Sequence, residues 1–234
     1  MKEQSIDSEL LHNYEYKTGL KNFGLNGLEQ LTKLEEIAFD GHGEDVYTLK
    51  MIDMTGWIIG ALSPIDKSLV GAIEMVPSIN NSAFIHGVLV APEAQGQGLG
   101  SHLISLAVKE ALKTGEFVTA TISPTNGASL NAFLNKNHFE GVSFIHDCYG
   151  QGEHRIVVWK GKYGRKVHFD IDNETYENFK DNLSCAFVEE DDYAQLSYWI
   201  NMGHAKKAHA IFPPSVTGQS KNLIFLHYPP HDKI

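Results

Sequence analysis

The chain has 234 residues, 42% of them hydrophobic and 21% charged, enough for one generous core or a domain with a smaller companion. No apolar run approaches bilayer-spanning length, and the formal charge of −10 disfavours a nucleic-acid or anionic-membrane surface while suiting a cationic substrate. Two cysteines, Cys148 and Cys185, are too few for a disulfide framework, and the polar start lacks the apolar centre of a signal peptide, so the expected compartment is the cytoplasm.

In chain order, residues 1–24 read as a poorly packed lead-in or a short helix. Leu28, Leu31, Leu34 and Ile37 recur at helical spacing and stop at Asp40-Gly41. Gly41 to Asp45 reads as a flexible polar loop. Within Val46 to Glu74, the runs Trp57–Leu62 and Leu69–Glu74 flank Ser63-Pro64-Ile65-Asp66-Lys67, the pattern of a β-hairpin or meander. Pro77 to Ser82 turns the chain into Phe84–Val90, an apolar and β-branched run expected to form a strand buried on both faces. Ala91-Pro92-Glu93 ends that strand, because proline removes a ladder donor and restricts the residue before it. Gln95-Gly96-Gln97-Gly98-Leu99-Gly100 follows, and Leu99, Leu103, Leu106 and Ala107 then mark the core face of a helix.

A glycine turn that opens a helix has a physical use. The first helical N–H groups lack intrahelical acceptors, the macrodipole adds partial positive charge, and glycine lets a phosphate approach the backbone. The dinucleotide pattern G-x-G-x-x-G needs glycine at 101 or 103, where Ser101 and Leu103 stand, and no lysine follows Gly100 as a P-loop requires. Q-x-x-G-x-G fits, through Gln95, Gly98 and Gly100. This turn resembles the acyl-CoA pyrophosphate loop of the GCN5-related N-acetyltransferase (GNAT) superfamily. The order helix, antiparallel strands, central strand, glycine turn and helix agrees with that resemblance; the alternative is a plain strand-to-helix turn.

Phe117–Ile122 reads as the next buried strand, and Ser123 to Gly127 as a turn that can cap the helix Ala128–Lys136. His138-Phe139-Glu140-Gly141 closes it. This stretch is similar to the second GNAT signature: Asn126 matches its asparagine, Phe133 stands where a tyrosine is usual, and Asn137-His138-Phe139 carries one inserted residue. Arg155–Trp159 reads as a last strand. The resemblance implies an α/β fold with a mixed (α+β) sheet, a GNAT-type domain over residues 1–160 with its core at about 20–160, and a C-terminal αβ extension over 161–234. Shifted by 66 positions without a gap, Ala120, Ala128, Leu130, Asn135 and His138 fall on Ala186, Ala194, Leu196, Asn201 and His204, while Phe133 falls on Trp199 and Val157-Val158-Trp159 on Leu223-Ile224-Phe225. Two readings stay open: a partial, degenerate half-domain repeat, or an added αβ extension that covers an edge strand or helps form a cleft.

The resemblance also implies a site. The backbone of Val88, Leu89 and Val90 would meet the pantetheine and the thioester carbonyl. Gln95, Gly96, Gln97, Gly98, Leu99, Gly100 and Ser101 would wrap the pyrophosphate, with Asn126 and Phe133 on the cofactor side. For the base, His86 comes first, since a neutral imidazole suits proton abstraction near pH 7, and Glu74 on the preceding strand is the runner-up. No acid is selected: Phe133 has no hydroxyl, which leaves Tyr149, Tyr163 or a water. His146, Cys148 and His154 match no zinc template, so no metal is expected. The implied activity is acetyl transfer from acetyl-CoA to a primary amine, such as a polyamine, an amino acid, an aminoglycoside, or a peptide or lysine amine. No nucleic-acid or membrane partner is implied, and a homodimer stays open. The competing reading is a non-catalytic acyl-CoA sensor or interaction module, which Phe133 favours and His86 opposes.

Overall fold

The two apolar runs of the hairpin pair antiparallel as β2 (Trp57–Leu62) and β3 (Leu69–Pro77), and β4 (Ala83–Val90) adds antiparallel to β3. These strands belong to the first of two units, residues 1–118 and 119–234, in a computed structural model that describes residues 11, 13–79, 81–163, 170–181, 185–201 and 207–227. Each unit is taken by itself. No described helix is long and apolar enough to cross a membrane.

In the first unit the lead-in is more ordered than the sequence suggests. Glu15–Thr18 forms β1, antiparallel to β2 with Glu15 opposite Leu62, so the polar tail gains ladder hydrogen bonds that no local pattern announces. Helix α1 (Gly27–Ala38) follows the expected periodicity and buries Leu31 and Leu34, while Ile37 stays half exposed. Val46–Thr55 is a helix, α2, that the sequence reading missed. Asp45 caps it by accepting from the N–H groups of Tyr47 (2.6 Å) and Thr48 (3.0 Å), and only Leu49 and Ile52 are buried, too short a stripe to stand out.

Strand β3 is buried from Leu69 to Met75, and both α1 and α3 (Leu99–Ala111) pack on it. Strand β4 departs from the expectation of burial on both faces. Ala83, Ile85, Gly87 and Leu89 are buried, whereas Phe84, Val88 and Val90 are half buried and His86 is exposed. Its register explains part of this: Glu74 faces Gly87 but Met75 faces Ile85, so His86 is the extra residue of a β-bulge.

Strand β5 (Phe117–Ile122) carries the chain into the second unit. Helix α4 begins at Gly127 and continues from Asn131 to Lys136 as a π-helical turn, with the Phe139 N–H reaching the Phe133 carbonyl at 3.0 Å. A π-turn absorbs one extra residue, which accounts for the insertion noted before Phe139. Strands β6 (Glu140–Ile145) and β7 (Arg155–Gly161) form an antiparallel hairpin. Helix α5 (Asn173–Phe179), β8 (Cys185–Glu189), α6 (Tyr193–Asn201), β9 (Lys207–Phe212), α7 (Pro214–Thr217) and β10 (Leu223–His227) follow. The strand order is β5-β7-β6-β9-β10-β8. Tyr176, Cys185, Phe212 and Phe225 centre a core of their own around β8, β9 and β10.

Candidate functional site

Two groups of residues meet on β4. The first is the glycine turn. A short 3-10 turn (Pro92–Ala94) follows the strand, and Gly96 (φ 73°) and Gly98 (φ 81°) take the left-handed conformation that side-chain-bearing residues avoid. Gly98 is the N-cap of α3, and the His102 N–H closes the first helical turn on its carbonyl at 3.0 Å. The N–H groups of Leu99 and Gly100 therefore lie at the positive end of the helix with no intrahelical acceptor. A Cβ built at Gly96 would meet no atom within 4 Å, so the turn is open on that side.

The glutamines act on the loop itself. The Gln95 amide donates to the Val90 carbonyl (3.1 Å), tying the turn to the end of β4. The Gln97 amide donates to the Glu93 carbonyl (3.0 Å), and its oxygen accepts from the Tyr14 hydroxyl (3.0 Å). Side chains pin the turn and the N–H groups of Leu99 and Gly100 have no intrahelical acceptor, which is what binding a diphosphate asks of it. Val88, Leu89 and Val90 pair with Ile73, Ala72 and Gly71 on one edge of β4.

The second group surrounds the bulge. His86 Nε2 lies 2.9 Å from Glu44 Oε1, with both side chains about one-third exposed. The Glu44 N–H donates to Glu35 Oε2 at 2.8 Å. Glu35, on α1, and Glu74, on β3, are both fully buried, and both oxygens of Glu74 and Oε1 of Glu35 have no hydrogen-bond partner. A Cβ on Gly87 would sit 3.1 Å from Glu74 Oε2 and 3.6 Å from Glu35 Oε1, so the two carboxyls converge beside the bulge. Burial, helped by the nearby Glu35 and Glu44 charges, pushes the Glu74 pKa up to about 8. Burial raises Glu35 as well, against the lowering effect of the Glu44 N–H.

The structure thus brings His86, Glu74 and the glycine turn together on neighbouring strands of the first unit. Asn126 and Phe133 belong to the second unit. Asn126 caps α4, its oxygen accepting from the Ser129 N–H at 3.0 Å, and Phe133 is buried edge-on against Phe139, so its ring serves that unit's core. Sequence reasoning missed Glu35 and Glu44. Glu44 looked like loop solvation, but Glu35 carried a signal: it follows Leu34 and stands four residues after Leu31, on the face of α1 that goes inside.

Residues 28–139 match the sequence profile of the acetyltransferase (GNAT) family. The chain carries a GNAT-family domain. Solved structures agree at the level of the fold. A GNAT-family acetyltransferase from Desulfovibrio desulfuricans is 16% identical, with a TM-score of 0.52, over 63% of this chain and 98% of its own. The ribosomal-protein-S18-alanine N-acetyltransferase of Escherichia coli is 15% identical at a TM-score of 0.53, over 66% and 100%. A GNAT-family acetyltransferase from Elizabethkingia anophelis, solved with acetyl-CoA bound, is 12% identical at 0.51, over 64% and 98%. No curated protein matches this sequence. Within the GNAT domain, the glycine turn stands at the start of α3 and the bulge at the middle of β4.

Proposed function

We propose that this GNAT domain moves an acetyl group from acetyl-CoA to a primary amine, with His86 as the general base and Glu44 as the residue that orients it. The observation that supports this reading best is the carboxylate-bound imidazole at the bulge of the strand that leads into the glycine turn. Acetyl-CoA is the acyl donor, its diphosphate held by the backbone of Gln95–Ser101.

The ionised Glu44 can only accept a hydrogen bond, so the hydrogen shared with His86 belongs to Nε2 and the lone pair to Nδ1. That lone pair takes a proton from the acceptor ammonium. The neutral amine attacks the thioester carbonyl, the N–C bond forms, the C–S bond breaks, and the sulfur leaves as thiolate, which takes through water the second proton that the nitrogen sheds on becoming an amide. The Glu44 charge stabilises the imidazolium that results. The partly exposed Glu44 carboxylate beside His86 and the formal net charge of −10 favour an acceptor that arrives as a cation. Cys148 and Cys185 form no disulfide and fit the reducing cytoplasm to which we assign the protein.

A second reading makes Glu74 the base, because its carboxyl titrates near neutrality; its complete burial puts it behind His86 rather than against a substrate. The test is release of CoA thiol from acetyl-CoA in the presence of polyamines, aminoglycosides, amino acids and neutral amines. Turnover with cationic amines is the expected result. Tight acetyl-CoA binding with no turnover on any acceptor would instead support a sensor.

A further inference from the structure

The second unit contains the same substructure twice. Strand β5, helix α4, β6 and β7 are followed by β8, α6, β9 and β10, and the sheet order β5-β7-β6 runs on as β9-β10-β8, the same order reversed. Under the shift of 66 the first helical residues coincide, Gly127 with Tyr193. So do the caps: Asn126 Oδ1 accepts from the Ser129 N–H at 3.0 Å, and Asp192 Oδ1 from the Gln195 N–H at 3.1 Å. Leu130 and Leu196 are both fully buried.

The two hairpins agree in register. Glu140 faces Trp159 as Lys207 faces His227, Gly141 faces Val158 as Ala208 faces Leu226, and then each ladder skips one residue, Val142 in one and His209 in the other. Beyond the bulge, Phe144 faces Ile156 as Ile211 faces Ile224. These pairs set shifts of 67 from β6 to β9 and 68 from β7 to β10, so the ungapped shift of 66 holds through the helix and gains one residue before each later strand.

The two copies also touch each other reciprocally. Strands β6 and β9 pair antiparallel with Gly141 opposite Ala208, its own counterpart. Asn135 clasps Ile211, its Nδ2 donating to the carbonyl (2.9 Å) and its Oδ1 accepting from the N–H (3.0 Å). Asn201, the counterpart of Asn135, clasps Phe144, the counterpart of Ile211, in the same way at 2.6 and 2.9 Å. Even the bond four residues back recurs, Asn135 to Asn131 (2.8 Å) and Asn201 to Ser197 (3.5 Å). When i meets j and the counterpart of i meets the counterpart of j, the contact is isologous and a two-fold axis runs through it. Generic likeness among αβ units explains a shared order of elements but not this reciprocity.

We infer that residues 185–227 are a second copy of the β5–β7 half and serve as a built-in partner subunit. The occupant of the β6 edge is this chain's own copy, seated as a second molecule would be in a two-fold dimer, which closes an edge that would otherwise template pairing. The chain therefore associates with no second chain through this edge. Neither half holds the Q-x-x-G-x-G turn, which lies before β5, and the copy differs from the first at its helix start: Asp192 follows Glu189-Glu190-Asp191 where Asn126 follows Ser123-Pro124-Thr125. It completes the sheet and does not repeat the site.

Light scattering on the full chain, with or without acetyl-CoA, should show one 26.0 kDa species across micromolar concentrations; a dimer that persists on dilution and whose formation changes the hydrogen exchange of the β6 and β9 amides would overturn the inference. Hydrogen exchange on two full-length variants tests the axis. Asn135→Ala should speed exchange of the Ile211 amide, and Asn201→Ala that of the Phe144 amide, each about tenfold and within about threefold of one another. A response to one substitution and silence to the other would show that the two clasps are not equivalent. Should an alanine variant fail to fold, Asn135→Ser and Asn201→Ser are read in the same way.

Discussion

The glycine turn and the acid–histidine cluster share strand β4 yet are held by opposite means. The turn is local: two left-handed glycines, a helix start, and side chains that bond carbonyls four or five residues away, Gln97 to Glu93 and Gln95 to Val90. The cluster is assembled from α1, the loop before α2, β3 and β4, and its His86–Glu44 pair spans 42 residues. A backbone device can be written into a few consecutive positions, whereas a side-chain device requires the whole sheet and its helices to be in place. Substitutions should therefore separate binding, which belongs to the turn, from turnover, which belongs to the cluster.

The largest expected effect is that of His86→Ala. Turnover should fall by about 10²–10⁴ while acetyl-CoA affinity stays within about twofold. A matching loss of affinity would mean the two regions are not separable. Gly98→Val comes next, because a β-branched residue is strongly disfavoured at φ 81°. Acetyl-CoA affinity, measured by titration, should fall at least about tenfold; unchanged affinity would move the diphosphate elsewhere. Glu44→Gln keeps the shape of the partner and removes its charge, so kcat should drop about tenfold with little change in KM for acetyl-CoA.

A separate effect falls on stability. With a folded pKa of about 8 against an ordinary 4.5, Glu74 holds its proton in the folded chain over a range where the unfolded chain has lost it. Its contribution is thus fully present below pH 4.5 and declines as pH rises to about 8, by on the order of 5 kcal/mol. Glu74→Gln should flatten most of that decline in denaturant titrations, leaving the part due to Glu35, whose pKa is raised in the same direction.

The same contrast explains how much could be read from the sequence. The strands β2 to β5, the helices α1 and α3 and the glycine turn are marked by short-range patterns, and they stand where those patterns put them. Strand β1 was hidden because a polar run such as Glu15–Thr18 becomes a strand only when β2 offers an edge. Helix α2 was hidden because its apolar stripe is two residues wide. Glu44 was hidden because nothing near Gly43 or Asp45 shows that a loop carboxylate will reach a strand histidine. In the second unit, Asn135 and Asn201 aligned under a constant shift, but their clasps depend on two halves facing one another, which a one-dimensional match does not encode.

Titration calorimetry of the full chain with acetyl-CoA, with free CoA alongside, tests the central claim most directly. One molecule bound per chain at micromolar or tighter affinity is the expected result, with the glycine turn as the site and the internal copy contributing none. No binding of either ligand would contradict the assignment of an acyl-CoA site and leave the turn as architecture alone.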